Sequence, residues 1–186
     1  MRISRLVVLA AIMGAFSLAA VSSASAATAT CSGATGKIKL SPGLTEEAAV
    51  QNIQIKGELT GCTGEEGVKE SYKFQIHAKT AEAVTCSALT SGALSGEESS
   101  ILVKSKGEGN SGGSVSIALI EGESPFTSGP LTGGPFTSAT GSLTESYTNG
   151  AGCGKPVITE KNGKVKEKAA KKVNKGTVTG GSATLS

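Results

Sequence analysis

The stretch ESYKFQIHAKT, from Glu70 to Thr80, carries the clearest structural signal in the chain. Apolar and polar side chains alternate along it, which is the period-two pattern of a strand with one buried face. The apolar positions are Tyr72, Phe74, Ile76 and Ala78, and the polar positions are Lys73, Gln75, His77 and Lys79. The stretch therefore predicts a half-buried β-strand.

Similar runs on both sides of this strand indicate an all-β protein. Clusters such as Ser41-Pro42-Gly43 and Gly129-Pro130 separate them and supply turn geometry. Short strands at this spacing predict an antiparallel β-sandwich. The other predicted strands are Lys37–Leu40, Gln51–Leu59, Ile101–Lys106, Ser114–Glu121, Thr140–Thr148, Val157–Lys161 and Thr177–Leu185.

Two segments have patterns that differ from the strand pattern. Thr45–Val50 is compatible with one helical turn. Lys164–Val173 places Val165, Ala169 and Val173 four residues apart, which is the spacing of a helix face. We therefore expect a short helix near the C-terminus, with a solvated loop as the alternative.

The N-terminal residues have the pattern of an export signal. Arg2 and Arg5 precede an apolar run from Leu6 to Val21, and small residues follow at Ala24-Ser25-Ala26. We expect cleavage after Ala26, so that residues 1–26 are a signal peptide and residues 27–186 form one secreted domain.

The composition of residues 27–186 excludes several functions. Both arginines of the chain belong to the predicted signal, which leaves 16 lysines against 15 glutamates, with no aspartate or tryptophan and a single histidine. Base readout depends on arginine and base stacking on aromatic rings. We therefore expect no sequence-specific nucleic-acid binding.

The four cysteines of a predicted exported chain indicate two disulfides. Three pairings are possible. Pairing the predicted strands Lys37–Leu40 and Gln51–Leu59 antiparallel brings Cys31 and Cys62 to one end, which leaves Cys86 to pair with Cys153. No two cysteines have metal-ligand spacing, so we predict no metal site.

No reaction motif accompanies the remaining polar residues. A serine hydrolase needs a base, and His77 is the only imidazole, on the polar face of its strand without a nucleophile motif. The adjacent glutamate pairs Glu46-Glu47, Glu65-Glu66 and Glu97-Glu98 are typical of solvated loops. We predict no catalytic residue and no cofactor.

Charge is unevenly distributed near the C-terminus. From Lys155 to Lys175 there are eight lysines against two glutamates. Such a segment could contact an anionic cell-wall polymer or a membrane surface, and the alternative is a solvated surface. The candidate contact residues are Lys164, Lys166, Lys168, Lys171 and Lys172.

Several segments carry a family resemblance. They are Cys31-Ser32-Gly33, LSPGLT at 40–45, QNIQIKGELTGCTG at 51–64, GGPFTSAT at 133–140 and GTVTGGSATL at 176–185. Together they resemble small, uncharacterised exported proteins of actinobacteria. The resemblance implies an immunoglobulin-like sandwich and no activity.

These observations favour a secreted or cell-envelope-associated, non-enzymatic protein that acts by binding or as a structural component. The alternative is a secreted hydrolase or an enzyme inhibitor that uses an unrecognised loop. A pocket that gathers His77 with a serine and a glutamate would favour the enzyme.

Overall fold

The computed structural model describes residues 27–91, 94–148, 157–161, 164–168 and 172–186, with the backbone alone at 90–91, 94–98, 157–159, 161 and 164–168. These residues include one short helix, α1 (Ala88–Ser91). The strands are β1 (Ala29–Leu44), β2 (Asn52–Gly64), β3 (Ser71–Thr80), β4 (Leu94–Ser105), β5 (Gly109–Leu119), β6 (Gly122–Ser128), β7 (Ala139–Tyr147), β8 (Val157–Lys161), β9 (Lys164–Lys168) and β10 (Val173–Leu185).

Eight of these strands form a closed antiparallel barrel in the order β1-β10-β7-β6-β5-β4-β3-β2. Strand β1 closes it by pairing on both sides, so that Thr30 lies opposite Thr184 of β10 and Thr63 of β2. Closure leaves no unpaired strand edge in the barrel. Strands β8 and β9 form a separate two-stranded sheet, and their residues fall between β7 and β10 in the chain.

The predicted β-sandwich, including its immunoglobulin-like form, is therefore wrong, although the all-β class is right. Alternating side chains indicate a strand with one buried face, and sandwiches and barrels both contain such strands. The two architectures differ here by the pairing of β1 with β10, which joins the two ends of the described chain. Local sequence patterns carry no information on that long-range register.

Strand β1 is much longer than the predicted Lys37–Leu40. Its inward residues before Lys37 are small, at Ala29, Cys31 and Ala34, so apolar alternation is weak there. The predicted turn at Ser41-Pro42-Gly43 lies inside β1, where the register with β10 shifts. Proline is tolerated within sheets at such bulges.

The helix predictions also fail. Lys164–Lys168 forms strand β9, paired with β8, and Val173 begins β10, while 169–171 lie outside the described residues. Thr45–Val50 is not helical, because the Thr45 hydroxyl bonds the Glu47 amide and Ala49 bridges to Val84. The helix that does form, α1, has no apolar stripe long enough to be recognised.

Apolar side chains fill the barrel interior. Phe136 of the β6–β7 connection packs edge-on against Tyr72 at the start of β3, with ring centroids 5.0 Å apart. Leu89 of α1 is buried beyond the end of β3, and its carbonyl accepts from the Glu121 amide. The other large, fully buried side chains include Leu40, Leu44, Ile53, Ile55, Ile76, Ile117, Leu119 and Leu143. The interior is thus a packed core.

Candidate anion-binding face

The predicted lysine contacts are only partly described by the structure. Lys164, Lys166 and Lys168 lie on β9, opposite Lys161, Thr159 and Val157 of β8. Lys171 lies outside the described residues, and Lys172 is exposed just before β10. These positions remain a prediction.

The predicted Cys31–Cys62 disulfide is confirmed. The two residues lie opposite each other on β1 and β2, with their sulfur atoms bonded. Cys86 is also disulfide-bonded, and Cys153, its predicted partner, lies outside the described residues. The antiparallel pairing of β1 with β2 explains why the first pairing could be derived from the sequence.

The β1–β2 hairpin and the pairing of β1 with β10 bring together four exposed lysines. Lys37 lies opposite Lys56 of β2, and Lys39 lies opposite Lys175 of β10. Alternate residues of a strand point to the same side, so Lys37 and Lys39 share the outer surface of β1. We name Lys37, Lys39, Lys56 and Lys175 the lysine face.

Among the described residues, no acidic residue lies directly opposite a lysine of the lysine face, and Glu58, two residues beyond Lys56 on β2, is the acidic residue diagonal to Lys37. The other cross-strand partners of Lys37 and Lys39 are Thr177 and Gln54, and the β3 partner of Lys56 is Gln75. Within the described part of the chain the ion pair that forms is elsewhere, between Lys69 and Glu108, at 3.2 Å. Like charges placed directly opposite each other destabilise a sheet, so the two lysine pairs carry an electrostatic cost that the single diagonal Glu58 offsets only in part.

A shallow groove of about 530 Å³ runs over this surface. The four lysines line it together with uncharged residues, among them Gln54, Thr148 and Thr177. A second groove, of about 730 Å³, contains Lys69, Lys73 and Lys104 but also Glu58 and Glu70. The first groove therefore carries four lysines and no acidic residue, whereas the second, which also contains Lys106, has two glutamates that offset part of the charge of its four lysines.

The opposite wall of the barrel lacks lysine altogether. Residues 107–154, which include β5, β6 and β7, contain none. On the outer surface of β7 the exposed positions are instead hydroxyl residues such as Thr140, Thr144 and Ser146. The closed barrel thus has one cationic side and one lysine-free side, on which exposed hydroxyl residues and the exposed Glu121 and Glu123 lie.

His77 lies at the margin of the cationic side. Its Nε2 contacts the side-chain amides of Gln54 and Gln75, and it lines a shallow groove with Lys39 and Ser41. Among the residues described along that groove there is no glutamate to orient the imidazole. The arrangement lacks the orienting acid of a catalytic triad.

Glu145 is a polar group that the sequence analysis missed. It points into the barrel with only 3% of its surface exposed, and its Oε2 accepts from the Tyr147 hydroxyl at 2.6 Å. Burial raises the pKa of Glu145 to about 7, while the Tyr147 and Ser124 hydroxyls oppose that rise. Burial, with the Glu145 charge beside it, raises the pKa of Tyr147 as well. Its position in the alternation of β7, between Leu143 and Tyr147, was the available signal.

The described residues hold no cluster of three or more metal-ligating side chains. None of the helical segments among them has the length and apolarity that a membrane crossing requires. No family model, curated protein or solved structure matches the chain. Among the described features of the molecule, the lysine face is the one that indicates a binding function.

Proposed function

We propose that the protein is exported and acts in the cell envelope as a non-enzymatic binding protein, whose lysine face holds an anionic wall polymer. The observation that carries the proposal is the pair of like-charged cross-strand contacts, Lys37 with Lys56 and Lys39 with Lys175. A bound polyanion would remove the electrostatic cost of both contacts. The disulfide supports export, since such bonds persist in oxidising compartments.

A phosphate-bearing polymer suits this surface best. Lysine binds phosphate as a point charge, without the planar bidentate geometry that arginine offers to phosphate and carboxylate alike, and residues 27–186 contain no arginine. The surface therefore suits a polymer with closely spaced charges rather than one anionic group held in a fixed geometry. A wall polymer is favoured over a lipid membrane, because membrane-surface proteins insert large apolar side chains. In the described residues, Val50 is the large apolar side chain that is exposed, and it lies outside the lysine face.

Retention on an immobilised phosphate polymer tests the proposal. The mature protein should be retained on inorganic polyphosphate at low salt and released at moderate salt, because exposed charges are screened over about 8 Å at physiological ionic strength. Replacing the four lysines of the lysine face by glutamine should abolish retention. Removing the same charge from Lys69, Lys73, Lys104 and Lys106 should weaken retention much less, because Glu58, Glu70 and Glu108 offset most of the positive charge in that region.

A third variant tests the candidate C-terminal lysines. Replacing Lys164, Lys166, Lys168, Lys171 and Lys172 by glutamine, with the lysine face intact, should weaken retention if that segment adds contacts to the polymer. Equal retention of the lysine-face variant and the wild type would refute the proposal. Retention on phosphatidylglycerol vesicles but not on polyphosphate would point to a membrane surface instead.

A further inference from the structure

The ladder between β5 and β6 is the shortest in the described barrel. Three residue pairs join these strands, from Val115–Ser128 to Ile117–Phe126, whereas six join β6 to β7 and eight join β5 to β4. The next residue of β6 is Pro125, which has no N–H to donate. The backbone ladder therefore stops midway along β6.

Beyond that point the Ser124 side chain takes the place of the ladder. The Ile120 amide donates to Ser124 Oγ at 2.9 Å, and the Ser124 hydroxyl donates to the Ile120 carbonyl at 3.2 Å. Ser124 is fully buried. The Ser124 hydroxyl thus links β6 to Ile120, in the turn that follows β5. We name this end of the β5–β6 pair the seam.

The same hydroxyl lies beside the carboxyl group of Glu145. Glu145 Oε1 is buried without a hydrogen-bond partner, because the single Ser124 proton is directed to Ile120. A charged acceptor attracts a hydroxyl proton more strongly than a carbonyl does. Ionised Glu145 and the Ile120 carbonyl would therefore compete for one proton.

Among the described residues, no cation acts on the Glu145 carboxyl to relieve that competition. The groups that act on its carboxyl are the hydroxyls of Tyr147, on β7, and Ser124, on β6. On β10 its ladder partner is Val178, and on β6 it is Gly122. Glu121, in the β5–β6 turn, acts on Tyr147 and is itself acidic, while Glu123 of β6 is exposed.

We propose that Ser124 and Glu145 form a proton-dependent switch on the β5–β6 seam. With Glu145 protonated, the Ser124 hydroxyl bonds Ile120 and the seam is closed. With Glu145 ionised, the hydroxyl turns to Oε1, Ile120 loses one of its two bonds to Ser124, and the seam loosens. The device is independent of the lysine face.

Nuclear magnetic resonance of the mature protein tests the switch at single atoms. The carboxyl carbon of Glu145, the carbonyl carbon of Ile120 and the exchange protection of the Ile120 amide are followed across neutral pH, with protection corrected for intrinsic exchange. All three should change with one midpoint. Because the Ile120 amide keeps its own bond to Ser124 Oγ while the carbonyl bond is lost, Ile120 protection should fall by up to about tenfold, the equivalent of one hydrogen bond. Amides of the β1–β2 ladder should keep their protection.

Three variants separate the switch from general destabilisation. Glu145→Gln should hold the seam closed at every pH, and Ser124→Ala should leave the Ile120 carbonyl unresponsive while Glu145 still titrates. Glu123→Gln, which removes an exposed carboxylate from the same strand, should behave as wild type.

An Ile120 carbonyl signal that does not follow Glu145 in the wild type would overturn the proposal. Protection lost equally in all ladders would also overturn it. Both results come from the wild-type protein, so the test stands even where a variant fails to fold.

Discussion

Lys37 lies directly opposite Lys56 across the β1–β2 ladder, with no acidic residue as a ladder neighbour of either on the described strands β10 and β3. A sheet selected for stability alone would place opposite charges there. The repulsion between the two lysines destabilises the free protein, whereas a bound polyanion would attract both lysines and stabilise the complex. Stability and binding should therefore respond in opposite directions to the same substitutions.

Neutralising Lys37 should stabilise the free protein. Lys37→Gln removes one like-charged contact, so the free energy of unfolding should rise by about 0.2–1 kcal/mol. Urea denaturation at low salt measures it, with Lys106→Gln as the control outside the lysine face. A loss of stability in Lys37→Gln would mean that the contact is not repulsive.

Removing the Cys31–Cys62 disulfide should weaken the barrel at its closing strand. The bond joins residues 31 positions apart, and the entropy of closing such a loop corresponds to about 3–4 kcal/mol. The double variant Cys31→Ala/Cys62→Ala should lose stability on that scale, measured by denaturation under oxidising conditions. A change well below 1 kcal/mol would show that the ladder alone holds β1 to β2.

The buried carboxyl of Glu145 should make the barrel more stable in acid than at neutral pH. Its pKa is about 7 in the folded protein against an ordinary 4.5, so the folded state binds the proton more tightly. The free energy of unfolding should be highest below about pH 4.5, fall by about 2–3 kcal/mol as the pH rises to 7, and then level off.

Glu145→Gln provides the comparison for that pH profile. It should match the wild type near pH 4 and exceed its stability at pH 8, because the amide cannot ionise. Parallel profiles of the two proteins would show that another group causes the pH dependence.

The Phe136 side chain should be essential to the core although it belongs to a connection between strands. Phe136→Ala should cost about 3–5 kcal/mol, as expected for a buried aromatic ring, and should disturb Tyr72, its edge-on partner. Thermal unfolding with Thr132→Ala as an exposed control in the same connection measures the effect. A cost under 1 kcal/mol would place Phe136 outside the cooperative core.

Much of the local structure could be predicted from the sequence. The alternation from Glu70 to Thr80 predicts β3, which spans Ser71–Thr80, and the β1–β2 pairing predicts the Cys31–Cys62 bond. Strand β9 was missed because Val165, Ala169 and Val173 also fit a helical spacing. Propensity and period are local signals, and tertiary pairing overrode them.

The candidate site could not be predicted in the same way. Lys175 is far from Lys37 and Lys39 in sequence, and only closure of the barrel by β10 places it beside them. Along the sequence, the excess of lysines over glutamates is concentrated between Lys155 and Lys175, so the sequence predicts a contact by that continuous segment instead. Glu145 lies on the buried face that Leu143 and Tyr147 define by alternation, but an ionisable residue is rarely fully buried, so the alternation alone was not read as placing it inside the barrel.

The central claim, that the lysine face binds an anionic phosphate polymer, is tested most directly by locating the contact. Inorganic polyphosphate is titrated into the isotope-labelled mature protein, and backbone amide shifts are mapped along the chain. We predict the largest changes on β1, β2 and the start of β10, around Lys37, Lys39, Lys56 and Lys175, with loss of the changes in moderate salt. Shift changes centred on β5–β7, or no shift changes under conditions in which immobilised polyphosphate retains the protein, would contradict this claim.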